Sequence, residues 1–170
     1  MKTLYMLLAN SDRRLNNLVE VAVRDVCYDQ AVVECFHTRR VNDFAARGSC
    51  ENHDLIVVAP EHLLQGALPK SNRDPIEEAV RTISRVKAHR QVPILAIGVS
   101  PENELRMLMA GADHVFGIIF NEEVFKAEVR RVLNISQPTA EPTPAAITRS
   151  SFTETLIKSF DRFRQAVATK

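Results

Sequence analysis

The stretch Val92-Pro93-Ile94-Leu95-Ala96-Ile97-Gly98-Val99-Ser100-Pro101-Glu102, continued by Leu108-Met109-Ala110-Gly111-Ala112-Asp113-His114-Val115-Phe116, encodes a strand, a helix and the start of a second strand. Val92 to Val99 is an unbroken apolar run, the pattern of a strand covered on both faces. Ser100-Pro101-Glu102 then offers an N-cap, a proline at the first helical position and an acid in the first turn. Helical periodicity holds from Glu102 to Ala110, and Gly111 fits a left-handed cap before the chain resumes as a strand over His114 to Ile119. Two strands joined by one helix must run parallel.

The same alternation extends in both directions. Lys2 to Ala9, Ala31 to His37 and Asp54 to Ala59 are short runs rich in β-branched and aromatic residues. Arg13 to Val26, Val41 to Cys50, Pro75 to Arg90 and Glu122 to Leu133 carry the helical period. Asp12 is placed to cap the first helix, and Asp74-Pro75, with Glu77 and Glu78 behind it, to start the third. Five strand-helix units with right-handed connections give an α/β fold, a doubly wound five-stranded parallel sheet with helices on both faces.

The segment from Val92 to Phe116, and within it Ala110-Gly111-Ala112-Asp113, resembles the fourth strand, fourth helix and fifth strand of bacterial response-regulator receiver domains, which are CheY-like and flavodoxin-like in fold. The resemblance extends over roughly the first 135 residues. It implies a module of two-component signalling whose site of phosphorylation lies at the carboxyl ends of the strands.

Receivers gather carboxylates there around a magnesium ion, because hard oxygen ligands offset the phosphoryl charge during transfer. In this chain the resemblance puts Asn10 and Ser11 at the metal-binding acidic pair. Ala59 stands where the phosphorylated aspartate belongs, and it has no oxygen with which to attack a phosphoryl donor. Gly98 replaces the hydroxyl residue that grips the phosphoryl group, with Ser100 the nearest hydroxyl. Ile118, followed by Ile119, replaces a Lys-Pro pair and so removes the ammonium. Five substitutions at four strand ends imply, by this resemblance, a degenerate pseudo-receiver, expected to act without accepting phosphate, as no enzyme and with no cofactor or metal.

Composition narrows the remaining classes. The chain has 170 residues, 45% of them hydrophobic, which provides one good core and an appendage. Its 22 basic residues nearly balance 21 acidic ones, so no global field draws it to nucleic acid, and none is expected as a partner. The apolar start is too short to span a membrane and lacks a signal-peptide pattern, leaving cytoplasm as the expected location. Cys27, Cys35 and Cys50 have no metal-ligand spacing and read as reduced thiols. The five histidines show no metalloprotease arrangement. His62, beside Glu61 just after Ala59, reads most simply as an exposed loop histidine.

Three regions remain for contact with other molecules. The family's output face maps here to Leu105, Arg106, Met109, Val115, Phe116, Phe120 and Phe125, some of which must be core by periodicity. The connection from Leu63 to Arg73 is long for such a domain and mixes leucines with Gly and Pro. After the 1–135 domain, residues 136–150 form a Pro-rich tether, and residues 151–170 an amphipathic helix with Phe152, Leu156, Phe160, Phe163 and Val167 on one face. That stripe has its own domain, a second copy of the chain in a homodimer, or another protein to pack against. The reading is a signalling or scaffold module that binds a protein partner in a bacterial pathway. The alternative is a sensor binding a small ligand at the carboxyl edge of the sheet.

Overall fold

Leu55–Val58 is buried at every residue, which requires protein on both faces and strands on both sides. A computed structural model describes residues 2–64 and 74–135 and places this strand at the centre of a parallel sheet. The strands are β1 (Lys2–Ala9), β2 (Ala31–Thr38), β3 (Leu55–Val58), β4 (Ile94–Val99) and β5 (His114–Gly117), in the order β2-β1-β3-β4-β5. Between and after them run α1 (Arg13–Cys27), α2 (Val41–Cys50), α3 (Pro75–His89), α4 (Pro101–Ala110) and α5 (Glu122–Leu133). The expected doubly wound α/β sheet is therefore what forms. Residues 65–73, the tether at 136–150 and the helix expected at 151–170 lie outside the described residues.

Strand alternation divides the core in two. Met6, Leu8, Val57, Leu95 and Ile97 pack with Leu15, Val19 and Val23 of α1 and with Phe125 and Val129 of α5. Their neighbours Leu7, Ile56, Val58, Ile94 and Ala96 face Phe44 of α2, Ile83 and Val86 of α3, and Met107 of α4. Each large side chain so buried stabilises the fold by about 1.5–3 kcal/mol. Phe125 is wholly buried and anchors α5 on this core.

The local chemistry explains the boundaries. Asp12 accepts the backbone N–H groups of Arg14 and Leu15, and Asp74 that of Ile76, as caps of α1 and α3. Gly111 ends α4 at φ 108°, in the left-handed region, and a Cβ there would stand 2.8 Å from Cγ of Lys87. Lys87 is held in place by Asp113, 2.6 Å from its Nζ, and the same carboxylate oxygen accepts the Ile94 N–H at 2.7 Å. The Ala-Gly-Ala-Asp run thus works as one unit, joining α3, the end of α4 and the start of β4.

Three strands are shorter than the sequence implies, β4 among them, which begins at Ile94 and not at Val92. β5 stops at Gly117, so Ile118 and Ile119 lie in the bend beyond it. β3 begins at Leu55, because the Asp54 carboxylate accepts the Tyr5 N–H at 2.9 Å and its own N–H donates to Tyr5 O at 2.8 Å. Among the described residues, no helix is long and apolar enough to cross a membrane.

Candidate functional site

The carboxyl ends of β1, β3 and β4 meet where the strand order changes direction, between β1 and β3. Asn10, directly after β1, is 2% exposed. Its Oδ1 accepts the Asp12 N–H at 3.0 Å, its Nδ2 donates to Asp12 O at 3.3 Å, and its backbone O accepts from Asn16 Nδ2. The side chain is thereby spent on shaping the entry to α1. Ser11 donates its N–H to His62 O at 3.2 Å, which ties the β1 loop to the one after β3.

Ala59 follows β3 and is fully buried, its N–H donating to Ala9 O at 2.9 Å. The chain then makes a 3-10 turn, Pro60–His62, closed by the His62 N–H on Ala59 O. That turn corrects the reading of His62 as an exposed loop residue, for it folds the imidazole inward to 4% exposure. Burial pushes the His62 pKa below its ordinary value, against the opposing pull of the Asp12 and Glu61 carboxylates.

Gly98 has a role in the backbone itself. It sits at φ 66°, between the paired positions Ala96 and Val99 where the β4 and β5 registers shift. A left-handed residue at a bulge favours glycine over any hydroxyl-bearing side chain. Ile118 is half-buried and packs on the α1/α5 side of the core.

Glu61 is the functional-site residue that sequence reasoning undervalued. Its Oε1 accepts the backbone N–H of Ser100 at 2.7 Å and stands 3.4 Å from Asn103 Nδ2. Ser100 was the expected side-chain cap of α4, yet it makes no such bond to the helix backbone; its Oγ instead accepts from Asn103 Nδ2 at 3.0 Å. A capping box normally takes the carboxylate for the N-cap N–H from the third helical residue. Asn103 occupies that position here, and Glu61 supplies the carboxylate from another loop. A charge-assisted bond of this kind contributes about 1.5–3 kcal/mol. The clue in the sequence was an acid two residues after a strand end facing a helix start whose third residue is not Glu or Gln.

The arrangement does not suit a magnesium ion. A hard dication needs several oxygen ligands free to turn towards it. Here Asp12 is engaged as a helix cap, Glu61 on Ser100, and Asn10 on Asp12, while Ala59 offers no side-chain oxygen. Among the described residues, no three of the types His, Cys, Asp and Glu come together as a metal-holding group.

On the proposed contact face the assigned residues separate. Leu105 and Met109 of α4 are 65% and 80% exposed, Leu108 is exposed beside them, and Arg106 projects outward with Nη1 3.2 Å from Asn103 Oδ1. Val115 and Phe116 are corrected to core. β5 is covered on both faces, so Val115 joins the α2/α3/α4 side, and Phe116 stacks among His114, Phe120 and Phe125 at centroid distances of 4.4, 4.9 and 5.4 Å. Phe152, Leu156, Phe160 and Phe163 lie outside the described residues.

Neither family models nor curated proteins match the chain. Solved structures do. It is similar to a protein of Chloroflexus aurantiacus described as a response regulator, at 13% identity and TM-score 0.59, over 78% of this chain and 99% of that one. It is similar too to a two-component response regulator from Clostridium difficile, at 14% identity and TM-score 0.58, over 78% and 97%. A third is the receiver domain of a Pseudomonas aeruginosa sensor histidine kinase, with a magnesium ion coordinated in its active-site cleft, at 14% identity and TM-score 0.57, over 78% and 98%. The class is therefore defined at the level of fold, a five-stranded receiver-type α/β domain. This chain carries Ala59, Gly98 and Ile118 at or just beyond its strand ends and Glu61 bound to the start of α4.

Proposed function

We propose that the chain is a pseudo-receiver, a non-enzymatic signalling or scaffold module that works by protein-protein contact and takes no phosphate. The observation that carries this reading is Ala59: the residue that the family resemblance pairs with the phosphoacceptor is a buried alanine, with no side-chain oxygen. With no carboxylate at position 59 and no metal-holding group among the described residues, the strand ends have a structural task, fixing the loops that carry α4. The receiver-type fold supports a role in signalling, and the partner is a protein of such a pathway.

The contact surface proposed is the outer face of α4. Leu105, Leu108 and Met109 repeat at helical spacing and remain exposed, a stripe that a partner can bury, with Arg106 at its edge for charge selection. Charge reversal, Arg106→Glu, together with Met109→Asp, should reduce capture of the partner from the source organism at least tenfold with the circular dichroism spectrum unchanged. Undiminished capture removes this face from the account.

A second reading, a small-ligand sensor at the carboxyl edge, has one observation in its favour. A depression of about 230 Å³ lies there, lined by Glu61, Asp74, Ser100 and Asn103 among others.

A further inference from the structure

α2 leaves part of the sheet uncovered. It has 10 residues, about 15 Å of helix, against about 26 Å for the 8-residue β2 that it follows. It also leans towards α3, since a Cβ on Gly48 would stand 3.2 Å from Val86 Cγ2. Side chains alternate along a strand. Leu7 and Ala9 belong to the α2/α3 side of the core, so Tyr5 projects on that side; Phe36 packs against the same core, which puts Val32 and Glu34 beside it. The register sets Val32 next to Thr3, Glu34 next to Tyr5 and Phe36 next to Leu7. Tyr5 is 38% and Val32 49% exposed, and the Tyr5 and Phe36 rings lie 6.2 Å apart. Two aromatic rings and a valine thus form an apolar strip on the edge strand of the sheet and its neighbour, a place that natural proteins usually cover.

The chain itself carries a segment that fits this strip. α5 packs on the other side of the sheet and ends at its amino edge, where Val132 and Ile135 share a cleft with Lys2, Ala31 and His53. The His53 ring also meets Phe36, at a centroid distance of 5.8 Å. The chain beyond Ile135 therefore starts on a groove that leads across the amino edge to the strip. Residues 136–150 span about 20 Å as a flexible coil and about 45 Å in extended polyproline form, enough for that crossing. Residues 151–170 then bring Phe152, Leu156, Phe160, Phe163 and Val167, a stripe of about 22 Å at helical rise, close to the length of β2. A lone helix of this size is marginal in water until its stripe is buried. Charge agrees with the match. Glu34 is exposed on the strip and has no ion pair among the described residues, while Lys158, Arg162, Arg164 and Lys170 outnumber Glu154 and Asp161 in the segment. We propose that residues 151–170 dock in cis on this strip, as a further helix of the α2/α3 layer, with the apolar stripe on Tyr5, Val32 and Phe36. The docking is independent of phosphorylation and leaves the outer face of α4 free for a partner.

The chain has 2 tyrosines, so nitration of the full-length protein, read by mass spectrometry, tests the contact with an internal standard. Tyr28 is 78% exposed against 38% for Tyr5, and on an uncovered strip the two should react at rates within about twofold of each other. With the segment docked, Tyr5 should react about tenfold more slowly than Tyr28, or slower still. Phe160→Asp combined with Phe163→Asp should return the ratio to about twofold. Val32→Glu, made from the other side of the contact, should do the same and speed hydrogen exchange in residues 155–165. Met109→Asp on α4 should change neither readout. Dilution by about a hundredfold should leave Tyr5 protected, because the partner is tethered in the same chain. Four results would overturn the proposal: Tyr5 reacting within about twofold of Tyr28 in the natural chain, protection that survives the Phe160 and Phe163 substitutions, protection lost on dilution as for a second copy, or protection lost in Met109→Asp.

Discussion

Replacing Ala59 by aspartate installs the residue that receivers phosphorylate, and the surroundings of Ala59 predict damage without restored chemistry. The position is fully buried, its N–H is bonded to Ala9 O, and its methyl group belongs to the core on the α1/α5 side. An aspartate there puts a carboxylate into that core, and the Asp12 and Glu61 carboxylates that act on nearby His62 are of its own sign. An uncompensated buried charge costs about 3–5 kcal/mol, against a total stability of about 5–15 kcal/mol for a typical domain. Burial raises the folded pKa of the new carboxyl above the unfolded value of about 3.9. Between those two values the folded state holds more protons than the unfolded one, so the damage grows with pH by about 1.4 kcal/mol per unit. Urea unfolding of Ala59→Asp and the natural chain at pH 4 and pH 7.5 reads this directly. The variant should lie close to the natural chain at pH 4 and fall well below it at pH 7.5. Equal stability at pH 7.5, or uptake of phosphate by the variant in the presence of magnesium, would refute the view that the site is dismantled around this position.

Two other predictions concern the same loops. Glu61→Ala should cost about 1.5–3 kcal/mol and speed hydrogen exchange at the Ser100 amide, with Glu61→Gln intermediate because its carbonyl still accepts; unchanged exchange at Ser100 would contradict the shared cap. Because the folded pKa of His62 lies below its unfolded value, the unfolded chain takes up that proton first as pH falls. Stability should therefore decline from pH 7 towards pH 5, more steeply in the natural chain than in His62→Gln; identical slopes would show that His62 carries none of this dependence.

Much of the fold was legible because its signals are local. The all-apolar run of β4, the proline after Ser100 and the glycine after Ala110 mark one strand-helix-strand unit without help from distant residues. The end of β5 was not legible, since Ile118 and Ile119 continue the apolar pattern and only the register shift beside Gly98 shows why pairing stops at Gly117. At the site, the residue types Ala59 and Gly98 are plain in the sequence, but the positive φ that gives Gly98 a reason cannot be read from composition. Glu61 and His62 were misjudged for a common cause. A three-residue turn decides which of them faces the interior, and both are fixed by partners far along the chain, Ser100 in one case and the β1 loop in the other. Val115 and Phe116 illustrate the reverse problem, since the family's output face names a region and only packing decides which residues on it reach solvent.

The central claim is that this receiver-type domain holds its state without phosphate. Incubating the natural chain with acetyl phosphate and magnesium and measuring its intact mass tests it most directly. The account predicts an unchanged mass; stoichiometric addition of one phosphoryl group would contradict it.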